Sequence, residues 1–98
     1  MYVAISEIAV PEAGIARLKV AFGDRLGAVD SWPGFINLEV LQDRREPGRF
    51  LMISRWSSRD AFRRYMRSAD HRRSHARVPT GEAAPRLAGF EEYAAVAG

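Results

Sequence analysis

The sequence contains no cysteine and no long apolar run. Without cysteine the fold cannot be held by disulfides, which many small domains use to compensate for a limited core. A membrane-spanning helix needs about 20 consecutive apolar residues, and residues 1–7 lack the basic start and long apolar stretch of a signal peptide. These absences predict a cytoplasmic protein with no membrane partner.

Histidine is nearly as scarce, since the chain has only His71 and His75. Their spacing of four residues would place both on one side of a helix, but the glutamate of an H-E-x-x-H zinc motif is missing. A surface histidine near the end of a helix needs no ligand. No metal site is therefore predicted.

The length and composition indicate one small domain. The chain has 98 residues, of which 47% are hydrophobic, so we treat residues 1–98 as a single domain with a core of its own. A chain this short buries a limited share of its surface, and neither disulfides nor a metal compensates. A partner subunit is the remaining source of burial.

Positive charge is concentrated in one stretch of the chain. Between Arg55 and Arg77 stand eight arginines against only Asp60 and Asp70, whereas the whole chain has a net charge of +3. Such a run is typically a solvated helix face, although clustered cations also suit a nucleic-acid backbone. Residues 49–54 lack the pair of stacking aromatics that RNA-binding sheets use, so no nucleic-acid partner is predicted.

The first half of the hydrophobic pattern predicts strand, helix and strand. Residues 2–10 are apolar and rich in β-branched side chains, and this strand stops at Pro11. Apolar side chains then recur at spacings of three and four, which is typical of a helix, and we expect it to end near Gly27. Residues 35–42 alternate as a second strand. The apolar stripe of the first helix comprises Ile15, Leu18, Phe22 and Leu26.

The second half predicts strand, helix and strand. A polar loop leads into a third strand at 49–56, after which Ser57 and, three residues later, Asp60 resemble a helix-capping pair. A short helical segment at 70–77 follows the second helix, and a strand at 87–96 closes the chain. The buried stripe of the second helix comprises Ala61, Phe62, Tyr65, Met66 and Ala69.

The order β-α-β-β-α-β predicts an α+β, ferredoxin-like fold with an antiparallel four-stranded sheet and helices on one face. The other face is uncovered, yet its side chains are apolar. An exposed apolar patch indicates a partner surface, and two such faces in contact would bury each other. We therefore predict a homodimer. The candidate residues of the uncovered face are Ile36, Leu38, Val40, Leu51 and Ile53.

Four short motifs stand in order along the chain. Residues 32–35 read WPGF, 54–58 read SRWSS, 61–65 read AFRRY, and the segment 71–75 begins and ends with histidine. In this series the chain resembles the antibiotic-biosynthesis-monooxygenase family, in which PGF precedes strand two, a tryptophan ends strand three, an aromatic helix follows and a histidine comes later. The resemblance covers nearly the whole chain and implies a dimeric α/β barrel made of two ferredoxin-like protomers.

The resemblance also implies oxygen chemistry. Some members of this family oxidise polycyclic phenols to quinones without a cofactor, a bacterial subgroup degrades haem, and others have no redox reaction. We expect a cofactor-independent monooxygenase acting on a small hydrophobic aromatic molecule, of the phenol or quinone type, in a pocket between sheet and helices. The alternatives are a haem-binding or haem-degrading monooxygenase and a non-catalytic dimer that binds a small ligand.

The haem-degrading subgroup carries an asparagine on strand one, a tryptophan on the second helix and a haem-ligating histidine. The matching positions here are Ser6, Tyr65 and His75, so only the histidine is retained. A neutral imidazole is a good iron ligand, whereas loss of the asparagine removes a hydrogen-bond donor aimed at the iron-bound ligand. In the haem alternative His75 is the iron ligand.

A cofactor-free oxygenation needs a base, because a deprotonated phenol can pass an electron to dioxygen, and a cation that stabilises the developing negative charge. We assign proton handling to Tyr65 and His75 as catalytic residues, although Tyr65 and Trp56 also fit as core packing. Ser6 and Asn37 are the few polar groups expected in an apolar pocket. The predicted substrate-binding residues are Ser6, Asn37, Trp56, Phe62, Arg55 and Arg73, of which the two arginines supply the positive charge.

Overall fold

The computed structural model describes residues 1–23, 28–75 and 80–98, without the side chains of residues 28 and 73–75. Within these ranges the chain follows the predicted order β-α-β-β-α-β, with the second helical region divided in two. The elements are β1 (Tyr2–Ala9), α1 (Ile15–Gly23), β2 (Phe35–Gln42), β3 (Arg49–Trp56), α2 (Arg59–Met66), α3 (Ala69–His75) and β4 (Arg86–Ala94). Short 3-10 turns are formed by Glu12–Gly14, Ala28–Ser31 and Gly81–Ala83.

The strands form an antiparallel sheet in the order β2-β3-β1-β4. β1 lies in the centre beside β3, where Tyr2 is opposite Trp56 and Ile5 is opposite Ile53. The closing strand β4 pairs with the other side of β1, so β2 and β4 are the two edges of the sheet. This is the ferredoxin-like α+β fold that the sequence predicts.

The helices cover one face of the sheet and bury two clusters of side chains at opposite ends of the strands. At one end α2 packs onto a cluster around Trp56, which is 2% exposed, and at the other α1 packs around Leu18, which is 1% exposed. The middle of this face therefore lies between two cores. The α2 cluster comprises Tyr2, Ala4, Val29, Trp56, Ala61 and Tyr65, and the α1 cluster comprises Val10, Leu18 and Phe50.

Helix α2 is capped by Ser58, whose hydroxyl accepts a hydrogen bond from the Ala61 backbone N–H at 3.2 Å. The capping prediction for Ser57 is wrong by one residue. The backbone N–H of Ser57 donates to the Gly34 carbonyl at 2.7 Å, and this bond holds Ser57 in the turn that ends β3. A cap needs its own side-chain oxygen at the first free N–H groups of the helix, and Ser58 has that position.

The helical stripes are shorter than predicted. Helix α1 is described up to Gly23, so Leu26 lies outside the described residues. Helix α2 buries Ala61 and Tyr65, but Met66 is 43% exposed and Ala69 is exposed as well. The reason is that α2 ends at Met66 and a new helix begins at Ala69, which breaks the single stripe.

The face of the sheet turned away from the helices, here called the helix-free face, differs from the prediction at β2. Leu51 and Ile53 lie on it as expected, opposite Leu41 and Glu39. Leu38 and Val40 instead face the helices, and Val40 packs against the α1 cluster. The pairing of β2 with β3 is irregular between Phe35 and Asn37, so that Ile36 has no partner on β3. Such a bulge changes which side chains of the strand share a face.

Candidate functional site

A cross-strand row of four side chains lies between the two core clusters on the helix-covered face. This middle row consists of Val40, Met52, Ser6 and Phe90, from β2, β3, β1 and β4. Its members are half-buried, except that Phe90 is 43% exposed. Ser6 is its one polar side chain. The row is thus an apolar floor with a single hydroxyl, which is the usual make-up of a pocket for an apolar ligand.

Phe62 of α2 stands beside the middle row. Its ring lies parallel to that of Phe90, with centroids 6.2 Å apart and an interplanar angle of 16°. On its other side Phe62 meets Trp56 edge-on, with centroids 5.7 Å apart. The structure therefore brings Ser6, Phe62 and Trp56, three of the predicted substrate-binding residues, to one face, and Phe90 adds an aromatic wall that the sequence analysis does not predict.

Tyr65 lies deeper, at the centre of an aromatic group. Its ring centroid is 5.6 Å from that of Trp56, 5.5 Å from that of Trp32 and 5.4 Å from that of His71. Tyr65 is 7% exposed, so most of its ring serves the core. A direct role for its hydroxyl in chemistry therefore requires a ligand that reaches past Phe62 to the edge of this cluster.

Ser68 joins α2 to α3 at Tyr65. The Ser68 hydroxyl donates to the Tyr65 carbonyl at 2.6 Å and accepts from the His71 backbone N–H at 3.1 Å. Because the first N–H groups of a helix have no partner within it, this serine both ends α2 and caps α3. His75 comes one helical turn after His71, and its side chain, like that of Arg73, lies outside the described part of the structure.

Two predicted pocket residues lie on the other side of the sheet. Asn37 is opposite Arg55 in the pairing of β2 with β3, and Arg55 donates to the Asn37 side-chain oxygen at 3.1 Å and to Glu39 at 2.5 Å. All three alternate with Leu38 and Ser54, which face the helices. The structure thus places Asn37 and Arg55 on the helix-free face, across the sheet from the middle row. Arg55 faces this side because it is next to Trp56 in a regular strand, and Asn37 does so because of the bulge after Phe35.

A groove of about 360 Å³ lies between α1 and β2 and meets the middle row at Val40. Its lining is not predicted from the sequence, because the apolar pattern makes Phe22 a core position of the first helix and puts Val40 on the uncovered face. The sequence does indicate that Lys19 and Phe22 share one side of the first helix, because residues three apart are neighbours on a helix, and both line the groove. The lining residues are Lys19, Phe22, Gly23, Leu38, Val40, Gln42 and Phe50.

One buried polar atom in this region has no hydrogen-bond partner. Trp56 Nε1 is enclosed, and within the described residues no acceptor reaches it. An unmade hydrogen bond on a buried group costs about 1–3 kcal/mol. The indole ring contacts Phe35 and Phe62 edge-on. These aromatic neighbours pack against the ring but offer no oxygen or nitrogen acceptor to its N–H group.

Tyr2, Glu92 and Arg59 form a chain of hydrogen bonds at one end of the helix-covered face, where β1 begins. The Tyr2 hydroxyl donates to Glu92 Oε1 at 2.7 Å, and Arg59 Nε donates to the same oxygen at 2.8 Å. Burial, together with the Glu92 carboxylate, raises the pKa of Tyr2 to about 12. Hydrogen bonding to Arg59 lowers the pKa of Glu92 below its ordinary value. Tyr2 is therefore a neutral donor at physiological pH and Glu92 a carboxylate already occupied by two partners.

The residue types at the site fit a haem. A haem needs an apolar surface for its macrocycle and an axial ligand for its iron. The middle row supplies the surface, and α3 carries two histidines. The ring of His71 packs against Tyr65, and His75, one turn further along α3, is the predicted axial ligand of the haem alternative. Within the described ranges no group of three or more histidine, aspartate or glutamate side chains is placed to hold a metal ion by itself.

Helices in the described part of the chain are all too short or too polar to cross a membrane. The longest α-helix there, α1, has nine residues. A span of the hydrocarbon core needs about 20.

Comparison with protein families gives one match over most of the chain. Residues 1–77 match the family model described as antibiotic biosynthesis monooxygenase. A mycobilin-producing haem oxygenase of Mycobacterium tuberculosis is 32% identical over 60 residues, which is 61% of this chain and 57% of that enzyme. The matched part thus spans little more than half the length of that relative.

Solved structures share the fold over the whole chain. SnoaB, a cofactor-independent oxygenase from Streptomyces nogalater, is 18% identical with a TM-score of 0.80, and the match covers 99% of this chain and 94% of SnoaB. MhuD, a haem degrader from Mycobacterium tuberculosis solved with two haems in its active site, is 26% identical with a TM-score of 0.78, covering 100% and 98% of the two chains. The two structures share one architecture but carry different chemistry.

Proposed function

Because the chain belongs to the antibiotic biosynthesis monooxygenase family, we propose that it is a monooxygenase that oxidises a small hydrophobic aromatic molecule, of the phenol or quinone type, without a cofactor. The middle row carries this proposal: it is an apolar floor with one hydroxyl, bordered by the parallel rings of Phe62 and Phe90. A flat aromatic ligand matches such a surface in shape and polarity. The fold that the chain shares with SnoaB is consistent with it.

The proposed reaction begins with loss of a proton from the phenolic substrate. The anion shares its charge between the oxygen and a ring carbon that is left with one hydrogen, and it passes one electron to dioxygen. The two radicals combine at this ring CH carbon, and the returned proton converts the product to a hydroperoxide. Loss of water then leaves a carbonyl, so one oxygen atom enters the quinone and the other leaves as water. The protein has to take up and return a proton and to hold the substrate against the floor.

Two side chains are proposed to handle the proton. Tyr65 and His75 are carried by α2 and α3, which Ser68 joins at the Tyr65 carbonyl. Arg73, also on α3, is proposed as the cation that stabilises reduced oxygen, whereas Arg55 faces away from the pocket. Ser6 offers its hydroxyl to a substrate oxygen from the centre of the floor.

A haem-binding or haem-degrading monooxygenase is the second candidate. It is supported by the identity to the mycobilin-producing haem oxygenase and by MhuD. Bound haem would supply the iron that activates dioxygen. In this case the middle row would hold the macrocycle, His75 would ligate the iron, and Ser6 and Tyr65 would stand where the haem degraders have asparagine and tryptophan. The third candidate function is that of a non-catalytic dimer that binds a small ligand.

We also propose that two copies pair through their helix-free faces. The centre of this face is apolar, since Ile5 lies opposite Ile53 and Leu51 lies beside them. The ion pairs of Arg55 with Glu39 and of Arg49 with Glu7 stand at its margins. An apolar centre with a charged rim is the usual anatomy of a subunit interface.

Oxygen uptake with an anthrone-type phenol tests the first candidate. We expect one dioxygen consumed per quinone formed, with rates lowered at least about tenfold in Tyr65→Phe and His75→Ala, as loss of a proton-transfer group predicts. His71→Ala is the matched control, because it removes an imidazole from the same helix. Full activity in both Tyr65→Phe and His75→Ala would remove these roles.

A hemin titration run in parallel tests the second candidate, the haem-binding or haem-degrading monooxygenase. A saturable Soret shift that is lost in His75→Ala and kept in His71→Ala would assign the iron ligand. Loss of the Soret band after reduction in air, but not without oxygen, would add turnover. If hemin does not bind and phenols are not oxidised, both enzymatic candidates are contradicted and the ligand-binding dimer is the candidate left to test.

A further inference from the structure

Arg63 of α2 and Arg67, the residue that caps the C-terminus of α2, carry charge that no ion pair compensates among the described residues. Arg63 and Arg67 are exposed and stand one helical turn apart, and neither has an ion-pair partner among the described residues. Arg59, one turn before Arg63, is by contrast paired with Glu92 at 2.8 Å. Positive charge without an ion-pair partner among the described residues is therefore found at Arg63, one turn after the Arg59–Glu92 pair, and at Arg67, where α2 ends.

An apolar strip lies directly beside this charge. Met66 follows Phe62 by one turn and is 43% exposed, as is Phe90 beneath Phe62. Residues three and four apart on a helix are neighbours, so Met66 borders both Phe62 and Arg63. Helix α2 thus presents aromatic and apolar side chains next to the guanidinium group of Arg63, at the rim of the middle row. Arg67 follows Arg63 by one turn and lies beside it, on the side away from Phe62.

From this juxtaposition we propose that the aromatic ligand of the site carries an acidic group, which Arg63 and Arg67 bind while its rings lie on Phe62, Phe90 and Met66. The inference rests on the proposed function and narrows its substrate to aromatic acids. A guanidinium binds a carboxylate through parallel N–H···O bonds, which lysine cannot form. The two arginines therefore select for an anion and set which end of the ligand faces solvent.

Two carboxylates of the protein stand near these arginines. Glu92 is already bonded to Arg59 and to the Tyr2 hydroxyl, and Arg63 attracts it only weakly. Asp60 neighbours Arg63 by helical spacing, but no ion pair joins them within the described residues. Neither carboxylate occupies the guanidinium groups that the ligand would use.

The test compares two fluorescent probes with the same rings. 1-Pyrenebutyrate carries a carboxylate, and 1-pyrenebutanol carries a hydroxyl in its place. We expect wild type to bind the acid about three- to tenfold tighter, since each exposed ion pair contributes a few-fold in affinity. The preference should disappear in the double variant Arg63→Gln/Arg67→Gln and at about 1 M salt. Arg64→Gln removes the same charge from the side of α2 away from Met66 and should keep the preference.

The outcomes distinguish this inference from the proposed function. Equal binding of the two probes by wild type, a preference that survives the double variant, or an equal loss in Arg64→Gln would each overturn the role of Arg63 and Arg67 while leaving an aromatic pocket. Binding of neither probe would contradict the proposed function itself. Far-UV circular dichroism of each variant shows that the fold is retained.

Discussion

The rings of Phe62 and Phe90 lie parallel between α2 and β4, with their planes inclined by 16°. Phe62 also packs against the buried core, because the ring centroids of Tyr2 and Trp56 lie 5.3 and 5.7 Å from that of Phe62. Phe90 stacks on Phe62 and is otherwise open to solvent on an edge strand. The pair thus connects the α2 cluster to a surface that a ligand can reach.

Replacement of Phe90 by alanine should weaken ligand binding more than it weakens the fold. An aromatic pair contributes about 0.5–1.5 kcal/mol, so the free energy of unfolding should fall by about 1 kcal/mol. Binding of 1-pyrenebutanol, followed by fluorescence, should weaken by up to about tenfold on the same basis. Leu87→Ala is the control, because Leu87 is 63% exposed on the same strand. Equal weakening in both variants would contradict a specific role for the Phe90 ring.

Gly34 should tolerate a side chain less well than Gly81, the other glycine with a positive φ among the described residues. Its φ is 85°, and a β-carbon there would lie 2.5 Å from Ala61 Cβ and 2.8 Å from Ser57 Oγ. Gly34→Ala should therefore lower the free energy of unfolding by about 2–5 kcal/mol, from left-handed backbone strain and overpacking together. Gly81 has a φ of 75° but open space around it, so Gly81→Ala should cost only about 1–2 kcal/mol. Urea denaturation of both variants measures the difference, and equal losses would show that contact with α2 is unimportant.

The order of the elements could be predicted from the sequence because local signals agree with one another. The alternation at 35–42 and 49–56 gives strands with the observed bounds, and Pro33 with Gly34 marks the turn before β2. Which face of β2 meets the helices could not be predicted. Alternation divides a strand into two faces, but a bulge at Ile36 and packing against α1 decide which of them is buried.

The site was predictable in part for the same reason. Trp56 and Phe62 follow from the spacing of aromatic residues, because both strand and helix patterns point them inward. Phe90 was missed since β4 is mostly exposed and its alternation carries little apolar signal. Asn37 lies on the other face because a bulge in β2 shifts the alternation, and only the pairing with β3 shows that bulge. Arg55 lies there for a local reason, since neighbouring residues of a regular strand such as Arg55 and Trp56 point to opposite faces.

The buried phenol of Tyr2 should make stability fall in strong alkali. Its pKa is raised to about 12, from an ordinary value of 10.0. The unfolded chain therefore releases this proton at lower pH than the folded chain does, so the stabilisation is complete below about pH 10 and is lost as pH rises toward 12. Melting temperatures of wild type between pH 8 and 12 should fall more steeply than those of Tyr2→Phe. Glu92→Gln removes the negative charge beside the phenol but keeps an amide oxygen as acceptor, so it should give an intermediate slope. Parallel curves for wild type and Tyr2→Phe would contradict the shift.

A charge at the centre of the helix-free face should separate the proposed dimer without unfolding the protomer. Ile53 lies opposite Ile5 on the face that the helices leave uncovered, so Ile53→Lys would take an ammonium out of water only when two copies pair, and desolvation is costly even with Glu39 beside it. Light scattering at micromolar concentration should give wild type twice the protomer mass of 11.0 kDa and the variant 11.0 kDa. Val20→Lys, at a position 68% exposed on α1, should keep the wild-type mass. A wild-type mass of one protomer would remove the dimer, and the apolar centre of this face would then need another partner, because an uncovered sheet face of this kind is unusual in a monomer.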